Sequence, residues 1–274
     1  MIVEGTGTET VVLLHGELND SSSWKSTSET LAAKFQVLRY DRSPMGTLES
    51  HRTDLMALLE QHHLEKIHLV GHSGGGVLAI VFAGMHPEKI LSLTLVDSLA
   101  RLDAPLETKI GSILSALEIG GSRLAYTVAV PWLFGADFLT HAKDRLEMAL
   151  ARAESTPPEV LRASIEYVLG FGDQRKWLRA IESPVLVAVG TDDVLTPMRY
   201  SHEIVEWVKP GLGVLVTITG AGHNAPLEKP AEFNRILLGF LERAKDFTKP
   251  LWDDDLEEDN GGDFNDYDPL LEPN

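Results

Sequence analysis

The sequence predicts an α/β fold, a mostly parallel sheet with helices on both faces, and three observations carry that prediction. Short runs of Val, Ile and Leu recur without strict alternation, as strands buried on both faces require. Segments with helical spacing lie between them. Turn residues bound each run, so strand and helix alternate along the chain.

Taken in order, apolar runs at 11–15, 37–40, 67–70, 91–96, 185–189 and 214–218 are the expected strands. The first intervening helix, 23–34, opens on serines in capping position. The next, 51–63, carries Leu55, Leu58 and Leu59 on one face, and 75–85 is small and apolar, suited to close packing on a sheet. From Leu99 to Ser183 no strand is expected. Helices are expected there at 106–117, 141–152, 158–169 and 175–180, punctuated by Gly120-Gly121, Pro131 and Pro157-Pro158. The interval reads as a helical insertion between two strands, after which 230–243 makes a last amphipathic helix. The expected division is a core of 1–98 and 183–246, an inserted helical unit of 99–182, and a tail of 247–274.

Composition narrows the function. The chain has 274 residues, no cysteine and a formal net charge of −17. Without cysteine there is no disulfide scaffold, thiolate metal site or cysteine nucleophile. Residues 251–274 hold ten acids and no Lys or Arg, leaving 31 acids and 24 bases in 1–250, a body of only −7. That balance argues against a nucleic-acid or anionic-membrane surface. The tail is expected to be disordered, or to order on a basic partner through Trp252, Leu256, Phe264, Tyr267 and Leu270. Its single Gly261-Gly262-Asp263 stretch cannot build a stacked calcium site, so no metal is expected. The start has no basic n-region, and no window approaches the roughly 18 uncharged apolar residues of a membrane span. The expected location is cytoplasmic.

The chemistry centres on Gly71-His72-Ser73-Gly74-Gly75, which follows the strand at 67–70 and opens the small-residue helix. A serine nucleophile needs a sharp strand-to-helix turn, and small residues two before and two after let the backbone pass its neighbours. A lone hydroxyl is a poor nucleophile and requires a histidine base and an orienting carboxylate. Of ten histidines, His223 stands apart because it follows the last strand, in Gly220-Ala221-Gly222-His223. His51, His141 and His202 are placed on surface helices. Asp192 and Asp193, after the strand at 185–189, both qualify as the carboxylate.

These motifs, with Leu13-Leu14-His15-Gly16, Tyr40-Asp41-Arg42, Pro197, Glu228 and Pro230, resemble the α/β-hydrolase superfamily, specifically its cap-bearing, esterase-like serine hydrolases. The resemblance spans about residues 5–245. It implies an α/β-hydrolase fold with a helical cap inserted after the sixth family strand, and a triad of Ser73, Asp193 and His223. Asp97 is a distant alternative for the acid. It further implies an oxyanion hole of the Glu17 and Gly74 backbone N–H groups, with His15 bracing its loop. No cofactor is implied. The activity implied is cleavage of a carboxylic ester, thioester or lactone. Carbon–carbon bond hydrolysis, cofactor-free haloperoxidase-like chemistry and slow-turnover ligand reception use nearly the same residues.

The chain departs from the family at several points. Glu17 replaces an apolar or aromatic side chain. It is expected to face solvent; facing the pocket, it would disfavour a free carboxylate near the scissile bond. Only ten residues precede Val11, so the N-terminal edge strands are expected to be shortened or missing, with room for one short strand in 1–4. The loop after Arg42 reads Ser43-Pro44-Met45-Gly46, shorter than usual. Trp24, Met45, Tyr126, Trp132, Phe134, Phe138, Tyr167 and Phe171 are the candidate pocket lining, which points to a small-molecule substrate, apolar and uncharged near the scissile bond.

Overall fold

A computed structural model describes residues 1–244, so the acidic tail at 247–274 lies outside the described residues. Seven strands form one sheet: β1 (Ile2–Glu4), β2 (Thr10–Leu14), β3 (Gln36–Arg39), β4 (Ile67–His72), β5 (Ile90–Val96), β6 (Val185–Gly190) and β7 (Gly213–Ile218). Their spatial order is β1-β3-β2-β4-β5-β6-β7. Every pairing from β3 to β7 is parallel, and only β1 runs antiparallel, with Val3 opposite Leu38. The shortened edge is therefore a three-residue strand on β3. Because β2 to β7 run the same way, all their carboxyl ends meet at one rim of the sheet.

Helices cover both faces. On one lie α1 (Lys25–Leu31) and, at the end of the described chain, α11 (Pro230–Arg243). On the other lie α2 (Leu48–Gln61), α3 (Gly74–Met85) and α9 (Met198–Trp207). The period of two along each strand sorts the side chains between them. Val11 and Leu13 point toward Trp24, Leu31, Phe233 and Leu237. Val12 and Leu14 point toward Leu55, Leu59, Leu78, Phe82 and Ile204. The short α10 (Ala225–Glu228) leads into α11.

Between β5 and β6 the chain is helical: α4 (Ala104–Leu133), α5 (Ala136–His141), α6 (Lys143–Ser155), α7 (Pro158–Leu169) and α8 (Arg175–Leu178). Asp103 caps α4 by accepting from the Leu106 N–H. Gly120 and Gly121 have non-helical dihedrals and break α4 into two segments, the second of which the sequence did not reveal. By length and composition alone α4 is long enough to cross a membrane, since one window reaches a mean hydropathy of 1.2. Its apolar face is spent inside the protein, where Leu106, Ile110, Ile113, Leu117 and Ala125 pack with Leu161, Ile165 and Phe171. This third cluster includes Val77 and Leu195 from the sheet-bearing body, so it sits over the rim.

Trp24, a candidate pocket residue, is a core residue. It is 1% exposed, with its ring 6.0 Å from Phe233 and edge-on to His72 at 6.4 Å. Trp24→Ala is expected to destabilise the protein by about 3–5 kcal/mol, read as a lower urea midpoint with an unchanged slope.

Candidate active site

The turn after β4 shapes the site. Ser73 has φ 52° and ψ −123°, a left-handed backbone that is strained for a residue with a side chain. Glycines relieve the crowding around it. A Cβ on Gly71 would strike the Gly75 carbonyl, and one on Gly75 would strike the Leu14 and His15 carbonyls. The Ser73 N–H donates to the Val96 carbonyl, and Ser98 Oγ donates to the Ser73 carbonyl, tying the turn to the end of β5.

Three residues far apart in sequence form one line at the rim. Ser73 Oγ lies 2.9 Å from His223 Nε2, and His223 Nδ1 lies 2.9 Å from Asp193 Oδ2. His223 and Asp193 are buried. Asp193 Oδ1 accepts from the Leu195 and Thr196 N–H groups, and Thr196 Oγ1 donates to Oδ2 at 2.7 Å. Burial pushes the Asp193 carboxyl up, but the His223 charge and these hydrogen bonds outweigh it and hold the group below its ordinary value. Asp192 is exposed and pairs with Thr191, so the adjacent acid stands apart from the histidine.

Asp97 does different work. It is fully buried, and its two oxygens accept from the Gly190 and Ala225 N–H groups at 2.9 and 3.0 Å. It thereby ties the end of β6 to the segment just after His223. Burial and the nearby Asp193 charge push its carboxyl well up. Glu228 adds a second tie: Oε2 accepts from Gly135 and Gly222, and Oε1 from Asn224. The start of α5 is thus joined to the His223 loop.

The loop after β2 packs against the same turn. His15 Nδ1–H donates to the Gly16 carbonyl, and its Nε2 accepts from the Arg42 N–H. Arg42 Nη2 donates to the His15 carbonyl and to Glu17 Oε1 at 2.7 and 2.8 Å. Glu17 does not face solvent. Its side chain is 11% exposed, that of Arg42 is 5% exposed, and the carboxylate rests against Gly74 where any side chain on residue 74 would collide with it. A glycine after Ser73 and an acid at 17 are therefore one steric arrangement. Gly74 opens α3, and N–H groups of a helix's first turn have no partner within the helix.

Two cavities adjoin the site. One, about 60 Å³, is lined by Ser73, His223, Tyr126 and Phe171; the other, about 580 Å³, by Glu17, Arg42, Tyr126, Phe134, Phe138 and Tyr167. Trp24, Met45 and Trp132 line neither. Met45 is 65% exposed on the short loop, and Trp132 packs partly buried within the inserted helices. His51 is not a surface residue, being 3% exposed and lining the larger cavity. The sequence contained its signal: His51, Leu55 and Leu59 recur every four residues and form the buried face of α2. Thr196 was also missed, since only the fold brings it to Asp193 and His223. No group of three or more potential metal ligands occurs among the described residues.

Comparison with known proteins bears on the fold. The alpha/beta hydrolase fold family matches residues 9–230. A protein named as a carbamate hydrolase, RutD, from Caulobacter sp. (strain K31) is 31% identical, covering 85% of this chain and 90% of its own. Among solved structures, a thermophilic esterase from Thermogutta terrifontis aligns with TM-score 0.79 and 27% identity, covering 89% of this chain and 92% of its own. The enol-lactonase from Burkholderia xenovorans LB400 shares the fold at TM-score 0.79 and 22% identity, covering 88% and 95%.

Two outcomes follow from the packing. Gly74→Ala is expected to cost about 1–3 kcal/mol by overpacking. In a double-mutant cycle with Glu17→Ala, urea denaturation should give a coupling energy of at least about 1 kcal/mol. The second outcome concerns acid. Burial, and then the His223 charge, pushes His72 down from 6.5 to about 3, and its Nε2–H donates to the His223 carbonyl. Below pH 6.5 the unfolded chain takes up a proton that the folded chain refuses. Stability is full above pH 6.5 and falls as pH drops toward 3. His72→Gln, which keeps the donor, should flatten the decline in urea midpoint between pH 7 and pH 4.5.

Proposed function

The chain belongs to the α/β-hydrolase family, and from that premise we propose that it is a serine hydrolase cleaving a carboxylic ester, thioester or lactone through an acyl-enzyme. The observation that carries this reading is the continuous line from Ser73 Oγ through both ring nitrogens of His223 to Asp193, each link 2.9 Å. A relative named as an esterase supports an ester as substrate.

In this mechanism Ser73 Oγ attacks the carbonyl carbon while His223 Nε2 takes its proton. Asp193 accepts a hydrogen bond from Nδ1–H, fixes the tautomer and balances the imidazolium. The Glu17 and Gly74 backbone N–H groups hold the tetrahedral oxygen, and one such donor is worth about 3 kcal/mol. His223 then returns its proton to the leaving oxygen or sulfur, the bond breaks, and the acyl group stays on Ser73. Water, deprotonated by His223, attacks the acyl carbon; the bond from the acyl carbon to Ser73 Oγ breaks, His223 returns the proton to Oγ, and the acid is released. The helices at 99–182 act as a cap that shapes what reaches Ser73. Asp97 and Glu228 are positioning residues that hold the loops, and Thr196 positions the Asp193 carboxylate.

A fluorophosphonate probe is expected to label Ser73, and 4-nitrophenyl acetate to be hydrolysed. Ser73→Ala should abolish labelling, and Ser73→Ala or His223→Ala should lower kcat by about 10⁴–10⁶-fold. Labelling that persists in Ser73→Ala, or its absence from the unmodified protein, would reject the hydrolase.

A further inference from the structure

Ser73 lines the smaller of the two cavities and not the larger. Five residues line both: Glu17, Leu18 and Asn19 from the loop after β2, and Tyr126 and Ser164 from the inserted helices. These form the neck between them. The smaller cavity, about 60 Å³, is walled by Leu106, Ile110, Ile113, Ile165, Phe171 and Leu195, each of them buried. A water molecule takes about 30 Å³ in the liquid, so this space admits a group of only a few heavy atoms. The larger, about 580 Å³, is lined in part by exposed Ser43, Pro44, Arg145 and Met148, and so reaches solvent.

Chemistry decides which half of an ester takes which cavity. When the tetrahedral intermediate collapses, the carbon–oxygen bond to the alcohol breaks and the alcohol oxygen takes the His223 Nε2 proton. The acyl group stays on Ser73. The alcohol then has to leave, and water has to enter in its place, while the acyl group is still attached. An alcohol held among the buried walls of the smaller cavity would have to pass the acyl-enzyme to escape. In the opposite arrangement it departs through the neck into the larger cavity, and water reaches the acyl carbon by the same route.

Leu18 shapes that neck. Its φ is 62°, a left-handed backbone that costs a residue with a side chain about 1–2 kcal/mol. Its side chain packs, partly buried, against the apolar cluster of the inserted helices. We propose that the smaller cavity is the acyl site, limited to short aliphatic acyl groups of about two to four carbons, that the alcohol portion occupies the larger cavity, and that Leu18 enforces the division. The substrate class is then an ester of a short fatty acid with a larger alcohol. This inference rests on the hydrolase reading above, and it makes Leu18 a specificity-determining residue.

The test uses two isomeric esters that differ only in which side of the carbonyl is long, hexyl acetate and ethyl hexanoate, with hydrolysis followed by pH-stat. Hexyl acetate should be favoured by at least about tenfold in kcat/KM, the discrimination that a closed apolar pocket exerts against surplus methylenes. Leu18→Gly tolerates the left-handed backbone while opening the neck, and Ile113→Ala enlarges the smaller cavity from the inserted helices. Each should cut the preference by about threefold or more, by admitting the longer acyl chain. Both esters use the same Ser73, His223 and oxyanion donors, so damage to those lowers both rates and leaves the ratio where it was. A smaller preference in the unmodified protein, or one that Leu18→Gly leaves unmoved, would overturn the proposal. Should that variant not fold, an unmoved preference in Ile113→Ala overturns it equally. Fluorophosphonate labelling separates the failures. Unlabelled Ser73 in the unmodified protein sinks the hydrolase and this proposal together, whereas labelled Ser73 without the preference for hexyl acetate sinks this proposal alone.

Discussion

The crossing of the Ser73 turn over the end of β2 is the constraint on which the rest depends. A residue with a side chain is held at φ 52°, and the turn survives because Gly75 lets the Leu14 and His15 carbonyls pass. The close approach fixes where α3 begins, and hence where its free N–H groups point. It also brings the His15–Gly16–Glu17 loop against Gly74. Backbone strain of this kind costs about 1–3 kcal/mol and persists only where surrounding structure over-determines it. Here β4 and its neighbours β2 and β5, all buried, supply that support.

Glu17 is the feature in which sequence and packing most need each other. An acid beside the proposed oxyanion site would oppose developing negative charge if left unpaired. Arg42 compensates it, and the absence of a side chain at position 74 gives it room. The pair is deeply buried, so its worth lies in placement more than in net stability, since desolvation offsets much of the attraction. Removing one partner alone would leave a buried charge uncompensated.

A second layer of carboxylates holds the loops without touching the Ser73–His223–Asp193 line. Asp97 and Glu228 together accept five backbone N–H bonds from segments around Asp193 and His223. Both carboxyls are pushed up, first by burial, and the backbone N–H donors they gather offset part of that cost. They convert three separate rim loops, and the start of α5, into one connected support.

Local pattern determined much of this protein. The six strands of Val, Ile and Leu, the helices that cover them, and Ser73, Asp193 and His223 as candidates were all legible, because buried parallel strands and a strand-to-helix turn leave period and glycine spacing in the chain. Tertiary structure alone decided the rest. Trp24 went to the core, and Met45 to the surface, because aromatic or apolar character marks burial or exposure only after neighbours are placed. Glu17 turned inward because Arg42, remote from it in sequence, supplies the compensating charge. The break at Gly120–Gly121 was visible as punctuation, but the helix resumed beyond it because Ala125, Tyr126 and Ala129 had an apolar cluster to join. Side-chain direction depends on contacts across long sequence separations, and those contacts exist only once the sheet has closed.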